Sequence, residues 1–480
     1  MGNEVAVKPA SLEIQGEIAS ASSLYVWSIS VVVALGGFLF GYDWVVIGGA
    51  KPFYEVYFHL TSASSQGWAM SCALLGCLIG SLLSGVLSER LGRKPSLLVA
   101  AFIFILSSLC VGFAPTFSAF VAWRMAGGLA IGMTSGLSPM YIAEVAPARI
   151  RGKLVGLNDL ANVLGILSAQ VVNWSIARPI MDTSAAAVLA SWNGQRGWRW
   201  MFVAAAVPAM AFLLGMFFVP ESPRWLALRG RLLEAAGVLE RIGGSRHAQF
   251  VLEEIKSSGL RTNTRNEVLQ LLRMPFRRIL ILSVVMAVLQ QWCGVNVIFN
   301  YAQEIFADAG YTLSSILFDI LLTGIVLVLF TFLAIATIDR IGRRPLMLFG
   351  CAGLFVIHGV LGTLYYRHSH GLPMLCLVVA AIACYALTLA PVTWVVLAEI
   401  FPGSVRGTGV AIATASLWIA CFLLTYTFPL LNRAFGTAGN LWIYGAICAM
   451  GFVFLYRQLP ETRQKSLEEI EASWAINRPG

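Results

Sequence analysis

The sequence predicts an all-α membrane protein of twelve transmembrane helices in two six-helix halves, with a helical insertion between the halves on the cytoplasmic side. Three observations carry this reading. Of 480 residues, 58% are hydrophobic and 12% charged, against roughly 45–50% and about 25% in a soluble domain. Apolar runs close to the roughly 20 residues that cross hydrocarbon as a helix recur along the chain. The charged clusters between these runs repeat from one half to the other. The composition excludes a disordered chain, a nucleic-acid-binding domain and an ordinary soluble enzyme. The formal charge of +9 fits a bilayer better than a polyanion, because basic residues collect on the cytoplasmic side of membrane proteins.

Residues 1–22 are mixed and polar, with Glu4, Lys8, Glu13 and Glu17. They lack the basic start and cleavage site of a signal peptide and read as a cytoplasmic tail. The first half, 23–219, holds spans near 25–50, 67–88, 96–114, 118–142, 153–176 and 198–219. Residues 220–277 form the one long polar insertion; seventeen charged residues fall from Glu221 to Arg278, the last of them at the start of the second half. Its apolar residues (Leu232, Ala235, Ala236, Leu239, then Phe250, Leu252 and Ile255) recur at helical spacing, as in short amphipathic helices at a membrane surface. The second half, 278–459, holds spans near 278–301, 314–338, 345–366, 373–398, 407–431 and 440–459, and 460–480 form a second cytoplasmic tail.

Loop charges set the orientation. SERLGRKP (88–95), PARIRGK (147–153), DRIGRRP (339–345) and PGSVRG (402–407) are basic, whereas the alternate connections hold only scattered bases such as Lys51, Arg178, Arg367 and Arg433. The basic set is expected to be cytoplasmic, and both termini with it. Three landmarks recur in order at offsets of 240 to 255 residues: ERLGRKP at 89–95 as DRIGRRP at 339–345, AEVAPARIRG at 143–152 as AEIFPGSVRG at 398–407, and PESPRW at 220–225 as PETR at 460–463. Two halves related by such a repeat place a solute site near the midplane between them.

Polar residues inside the apolar runs are the candidate machinery. Asp43 sits in a run of about two dozen otherwise uncharged residues, where a carboxylate needs a partner or a proton. It lies about seven residues, or roughly 10 Å, from the outer end of its helix. Arg124 lies at similar depth on the fourth span, so the two can pair. The pair is either a protonation switch or a static structural bridge; the switch is favoured because intramembrane charges are functional by default. Asp159 and Asp319 lie nearer helix ends and read as interfacial. Gln290 and Gln291 project about 100° apart, so both cannot face lipid; Asn296 and Asn300 share a face, and Gly294, between them and the glutamines, is where the backbone can loosen. Such amides suit a neutral solute with several hydroxyls, since they donate and accept without a counter-charge; the alternative is interhelical hydrogen bonding. On the fifth span Asn158, Asn162 and Gln170 occupy one face together with Ile166, and Asn162 and Gln170 are candidate solute contacts. Trp394 lies several residues from either end of its span, where its ring can stack on a solute's C–H face; Trp292, Phe299, Tyr301 and Trp418 are further candidates for the same cavity. The nine cysteines fall in or beside apolar runs and read as buried thiols rather than disulfides. His368 and His370 form an HxH pair in a short loop, read as solvated. No metal or cofactor is expected, and no GxSxG, HExxH or GxxxxGK[ST] motif occurs.

These motifs resemble the sugar porters of the major facilitator superfamily, the group of bacterial xylose–proton symporters and animal glucose facilitators. The likeness runs from GGFLFGYD (36–43) to PETRQKSLEE (460–469), with PESPRWL and QQ-x-x-G-x-N its most specific parts. The resemblance implies that Gln290, Gln291 and Asn296 bond sugar hydroxyls and that Trp394 stacks on the sugar ring. It implies that Asp43 takes part in proton coupling with Arg124 as its partner. It also implies that Glu144, Arg151, Glu399 and Arg406, with Arg90, Arg93, Arg340 and Arg343, form a cytoplasmic charge network that latches the outward-facing state; paired acids in both halves are expected to bond across the halves and close an inner gate. The chain departs from the family where Ile166 follows Gly165, where Leu417 precedes Trp418, where Asn300-Tyr301 replaces a tyrosine pair, and where MFVAAAVPAM (201–210) lacks a carboxylate.

The expected function is therefore uptake of a monosaccharide or similar polyol by alternating access, with proton symport favoured over passive uniport. A non-transporting sugar sensor is the rival class, and it lacks a signalling tail here. The expected partners are the solute, protons and the lipid bilayer, with no nucleic acid, and the expected state is a monomer in a bacterial inner membrane.

Overall fold

The computed structural model describes residues 23–147, 150–180, 184–257, 269–274, 276–302, 305, 313–369, 371–401 and 405–463. The 1–22 tail, His370, residues 464–480 and the side chain of Arg406 lie outside the described residues.

Among the described residues, ten helical runs are long and apolar enough to cross a membrane. One of them, Gly407–Gln458, is two spans joined where Gly436 takes a positive φ of 67°. Phe117–Val145 adds the remaining span; its four glycines and three serines make it less apolar per residue. This is the twelve-helix fold. In the first half the spans are Ser23–Tyr57, Ala63–Leu91, Arg93–Gly112, Phe117–Val145, Arg151–Ile176 and Asn193–Phe218. The first continues through Pro52 to Tyr57, past the expected end near residue 50, and the sixth opens with a π-turn at Asn193–Gly197.

In the second half two spans are broken, and the breaks have local causes. The seventh divides into Phe276–Trp292 and Val295–Asn300 at Gly294, whose φ of 89° no L side chain adopts easily. The tenth divides into Leu372–Leu387 and Leu389–Ile400 at Thr388. The eighth and ninth, Leu313–Ile341 and Arg343–Tyr366, are continuous. The insertion forms Pro223–Leu228 and Leu232–Ser257, the latter kinked at Gly244. Its first helix is tied to the end of the second span by Trp225 Nε1 and Arg229 donating to the Glu89 carbonyl at 3.0 and 2.6 Å.

Small residues let the spans approach. The first packs along the fifth and the second along the fourth. A methyl group on Gly41 would run into the backbone carbonyl of Asn162, so the first–fifth seam needs glycine there. The halves meet chiefly along two seams, the second span on the eleventh–twelfth run and the fifth on the eighth.

The described cross-half bonds and ring contacts lie from mid-span toward the end away from the basic loops. Phe40 meets Trp418 near the middle, with ring centroids 5.5 Å apart. Further out, Ser64 and Tyr426 share a hydroxyl hydrogen bond of 2.9 Å, Arg433 donates to the Thr61 carbonyl, and Trp68 meets Phe422 edge-on. Gln170 reaches Thr323 at 3.5 Å, and Trp174 packs on Phe318. The halves are thus closed at one end, and among the described residues no ion pair joins them at the other.

Candidate functional site

The first, second, fourth and seventh spans line a small cavity. Phe40, Asp43, Trp44, Met70, Arg124 and Asn300 are among the residues lining it. Asp43 accepts from an Arg124 terminal nitrogen at 2.6 Å, and both residues are over nine-tenths buried. The guanidinium also lies 5.4 Å from the centre of the Phe202 ring, and its Nε has no hydrogen-bond partner among the described residues. Burial removes both charges from water, so each depends on the other. Asn300 brings an uncharged amide from the second half to this pair from the first.

The other amides of the seventh span form a relay. Asn296 donates to Gln291 Oε1 at 2.6 Å, Gln291 donates to Gln290 Oε1 at 3.0 Å, and Gln290 donates to the Ala390 carbonyl at 3.4 Å. The break at Gly294 folds Asn296 back over the end of the first segment, so residues on two helical pieces bond side by side. Trp394 lies one helical turn beyond Ala390 on the tenth span and is 39% exposed. Trp418 is buried with its Nε1 unpartnered among the described residues, while Trp292 Nε1 donates to the Ala420 carbonyl at 2.9 Å.

Gly294 carries a prediction. Besides the positive φ, a methyl group there would meet Tyr444 and His358 at 2.9 to 3.0 Å. Gly294→Ala is expected to destabilise the protein by at least about 1–2 kcal/mol, the cost of a left-handed L residue, and to weaken solute binding with it. Thermal unfolding and binding calorimetry on purified protein check this.

The fifth-span candidates separate. Asn162 lies over Gly41 at the seam with the first span, whereas Gln170 turns to Thr323 and Gly324 of the eighth. Asn173 bonds the Val46 carbonyl at 3.2 Å. The carbonyl oxygens of Asn162 and Gln170 have no partner among the described residues, so each keeps an open acceptor. Asp159 is exposed, but Asp319 is only 7% exposed, with one oxygen unpartnered among the described residues.

At the basic-loop end, the arginine–glutamate pairs seen among the described residues lie within each half. Arg93 holds Glu144 with two bonds of 3.0 and 2.8 Å, and Arg343 bonds Glu399 at 2.9 Å. Each arginine sits at the start of the span after its loop and reaches back to the end of its own half's fourth or tenth span. Arg90, Arg151 and Arg340 are exposed.

Four residues that sequence reasoning left without a role complete these clusters. Glu221 accepts from the backbone N–H groups of Arg93 and Lys94 at 3.0 and 3.2 Å, and Ser222 donates to Glu144 at 2.5 Å. In the second half Glu461 accepts from the N–H groups of Arg343 and Arg344 at 3.0 and 3.1 Å, and Thr462 donates to Glu399 at 2.7 Å. A carboxylate at a helix start satisfies donors that have no partner within the helix. Burial pushes the Glu221 carboxyl above its usual value, and the backbone N–H groups oppose this. The signal was the repeated Pro-Glu-Ser/Thr at 220–222 and 460–462. Glu144→Gln and Glu399→Gln each remove a charge-assisted bond of about 1.5–3 kcal/mol. Each is expected to lower the unfolding temperature by several degrees, the Glu144 change more because its arginine bond is twofold; differential scanning of the purified variants checks this.

Residues 29–474 match the family model "Sugar (and other) transporter". The chain is 37% identical to the D-xylose–proton symporter of Escherichia coli K12, over 94% of this chain and 96% of that one. It is 35% identical to the arabinose–proton symporter of Bacillus subtilis 168, over 97% and 99%. Among solved structures, the inward open conformation of the xylose transporter XylE from E. coli superimposes with a TM-score of 0.81 at 36% identity, covering 94% of this chain and all of that one. The chain belongs to the Sugar (and other) transporter family, and it is a multi-pass membrane transporter of the major facilitator fold rather than an enzyme.

Proposed function

We propose that this chain takes up a monosaccharide or similar neutral polyol together with protons, by alternating access, as a monomer in a bacterial cell membrane. The observation that carries the reading is the buried Asp43–Arg124 pair in a cavity shared with Asn300 of the opposite half. A proton arriving at Asp43 cancels one member of the pair and releases Arg124, and the cavity wall changes on the side that faces the seventh span. Gln290, Gln291, Asn296 and Asn300 offer the donors and acceptors a sugar edge needs, with Trp394 as the stacking surface. Asn162 and Gln170 contribute from the fifth span through their open carbonyl oxygens.

The basic-loop end is assigned to the cytoplasm, with both termini, by the positive-inside rule. The insertion between the halves and the 1–22 and 460–480 tails lie on that side. The closed seam then faces outward and the arrangement is inward-open. The Arg93–Glu144 and Arg343–Glu399 clusters are proposed to re-pair, together with Arg90, Arg151, Arg340 and Arg406 of the basic loops, when the inner end closes. Uptake of radiolabelled D-xylose, L-arabinose and D-galactose into vesicles with and without an imposed inward proton gradient tests the reading. Gradient-driven accumulation of one of them is expected; equilibration without accumulation points to passive uniport.

A further inference from the structure

The break in the seventh span frees carbonyls at the end of its first segment, and that of Cys293 is met by side chains from other spans. Cys293, immediately before Gly294, presents its C=O to His358 Nε2 at 2.8 Å and to Cys448 Sγ at 3.7 Å. His358 belongs to the ninth span and is fully buried; Cys448 belongs to the twelfth. A carbonyl only accepts, so Nε2 carries the proton, and Nδ1 is left as an acceptor without a partner among the described residues. The ring stands edge-on to Tyr444, 6.5 Å between centroids. A neutral imidazole that spends its one donor on a freed backbone carbonyl, with its other nitrogen unused, is aimed at that carbonyl.

The segment after the break is where the seventh span touches the first half. The Phe299 and Asn300 carbonyls face Gly48 of the first span, close enough that a methyl group there would stand 3.0 and 3.2 Å from them. Opening the outer seam requires Val295–Asn300 to leave this contact, while Gln290 and Gln291 on the earlier segment stay in the second half. The one backbone point between these groups with non-helical freedom is Gly294. We propose that His358 is a positioning residue. It pins the fixed side of this pivot to the ninth span, so that the short segment carrying Asn296 and Asn300 swings without unwinding the segment that carries Gln290 and Gln291. The inference rests on the transport reading above, but its physical part, the pinning of the break, does not.

Two readouts test it on the full-length protein in lipid. The first is hydrogen exchange of the peptide spanning Leu289–Tyr301, which needs no substrate. His358→Leu, without the donor, is expected to exchange at least about tenfold faster there, with the first six spans unchanged. His358→Gln, whose amide keeps a donor at similar reach, is expected to stay within about threefold of wild type. The second is counterflow of whichever of D-xylose, L-arabinose and D-galactose wild type carries. His358→Leu is expected to lose at least tenfold in maximal rate with less than threefold change in half-saturation, and His358→Gln to recover most of that rate. Equal exchange in wild type and His358→Leu overturns the proposal, as does a His358→Gln variant as impaired as His358→Leu. If His358→Leu does not fold, His358→Gln against His358→Met gives the same comparison. If wild type carries none of the sugars, the transport reading fails while the exchange result still decides the pin.

Discussion

Asp43→Asn is expected to abolish proton-driven accumulation while leaving sugar exchange intact. With one proton per sugar, a gradient of one pH unit supplies about 1.4 kcal/mol and supports roughly tenfold accumulation; in the variant the ratio falls to one. Asp43 and Arg124, both buried, share a bond of 2.6 Å. Asparagine reproduces the neutral, protonated aspartate in shape and keeps an oxygen for Arg124, so the transporter rests in one of the two states it normally visits. Removing the carboxyl outright is different. Asp43→Ala leaves a buried guanidinium whose Nε already has no partner among the described residues, and breaking a buried pair costs about 3–5 kcal/mol. The alanine variant is therefore expected to be unstable as well as uncoupled. Counterflow, which runs on a sugar gradient alone, separates the two. A variant that still accumulates sugar against its gradient rules out Asp43 as the coupling site.

The second large effect is expected at Gln291. It is the centre of the amide relay, accepting from Asn296 at 2.6 Å and donating to Gln290 at 3.0 Å. Truncation to alanine orphans a donor on one neighbour and an acceptor on the other. Each buried polar group left without a partner costs about 1–3 kcal/mol. In the proposed site the sugar meets these amides, so the loss is expected to fall on binding. Gln291→Ala is expected to weaken sugar affinity by about 10²-fold, measured by calorimetry on purified protein. Asn300→Ala, outside the relay, is expected to cost less. Equal effects of the two would mean that the relay carries no special weight.

The fold was legible because hydrocarbon demands about 20 apolar residues per helix and leaves little freedom in how they are satisfied. The charge pair was legible for the same reason: Asp43 and Arg124 stand in runs where an unpartnered charge is prohibitive. Partner choice was harder to read. Arg93 and Glu144 are named by any motif reading, but whether they bond within a half or across it depends on which end of the molecule is open, and one sequence encodes both states. The Glu221 and Glu461 caps were visible as a repeat without a role, because helix starts are satisfied by tertiary neighbours more than a hundred residues away in sequence. Asn162 and Gln170 share a helical face in projection, yet one packs on Gly41 and the other on Gly324, since neighbouring helices divide that face. His358 could not be read at all: a lone histidine in an apolar run acquires meaning only once the carbonyl it meets, 65 residues away, is known.

Sugar and proton are expected to move together through this chain. The direct measurement is the pH of a weakly buffered, de-energised suspension of proteoliposomes when sugar is added outside. Coupled entry predicts an immediate alkalinisation of the medium, proportional to the sugar taken up, abolished by a protonophore and absent in Asp43→Asn. Sugar entry with no movement of protons would contradict the account.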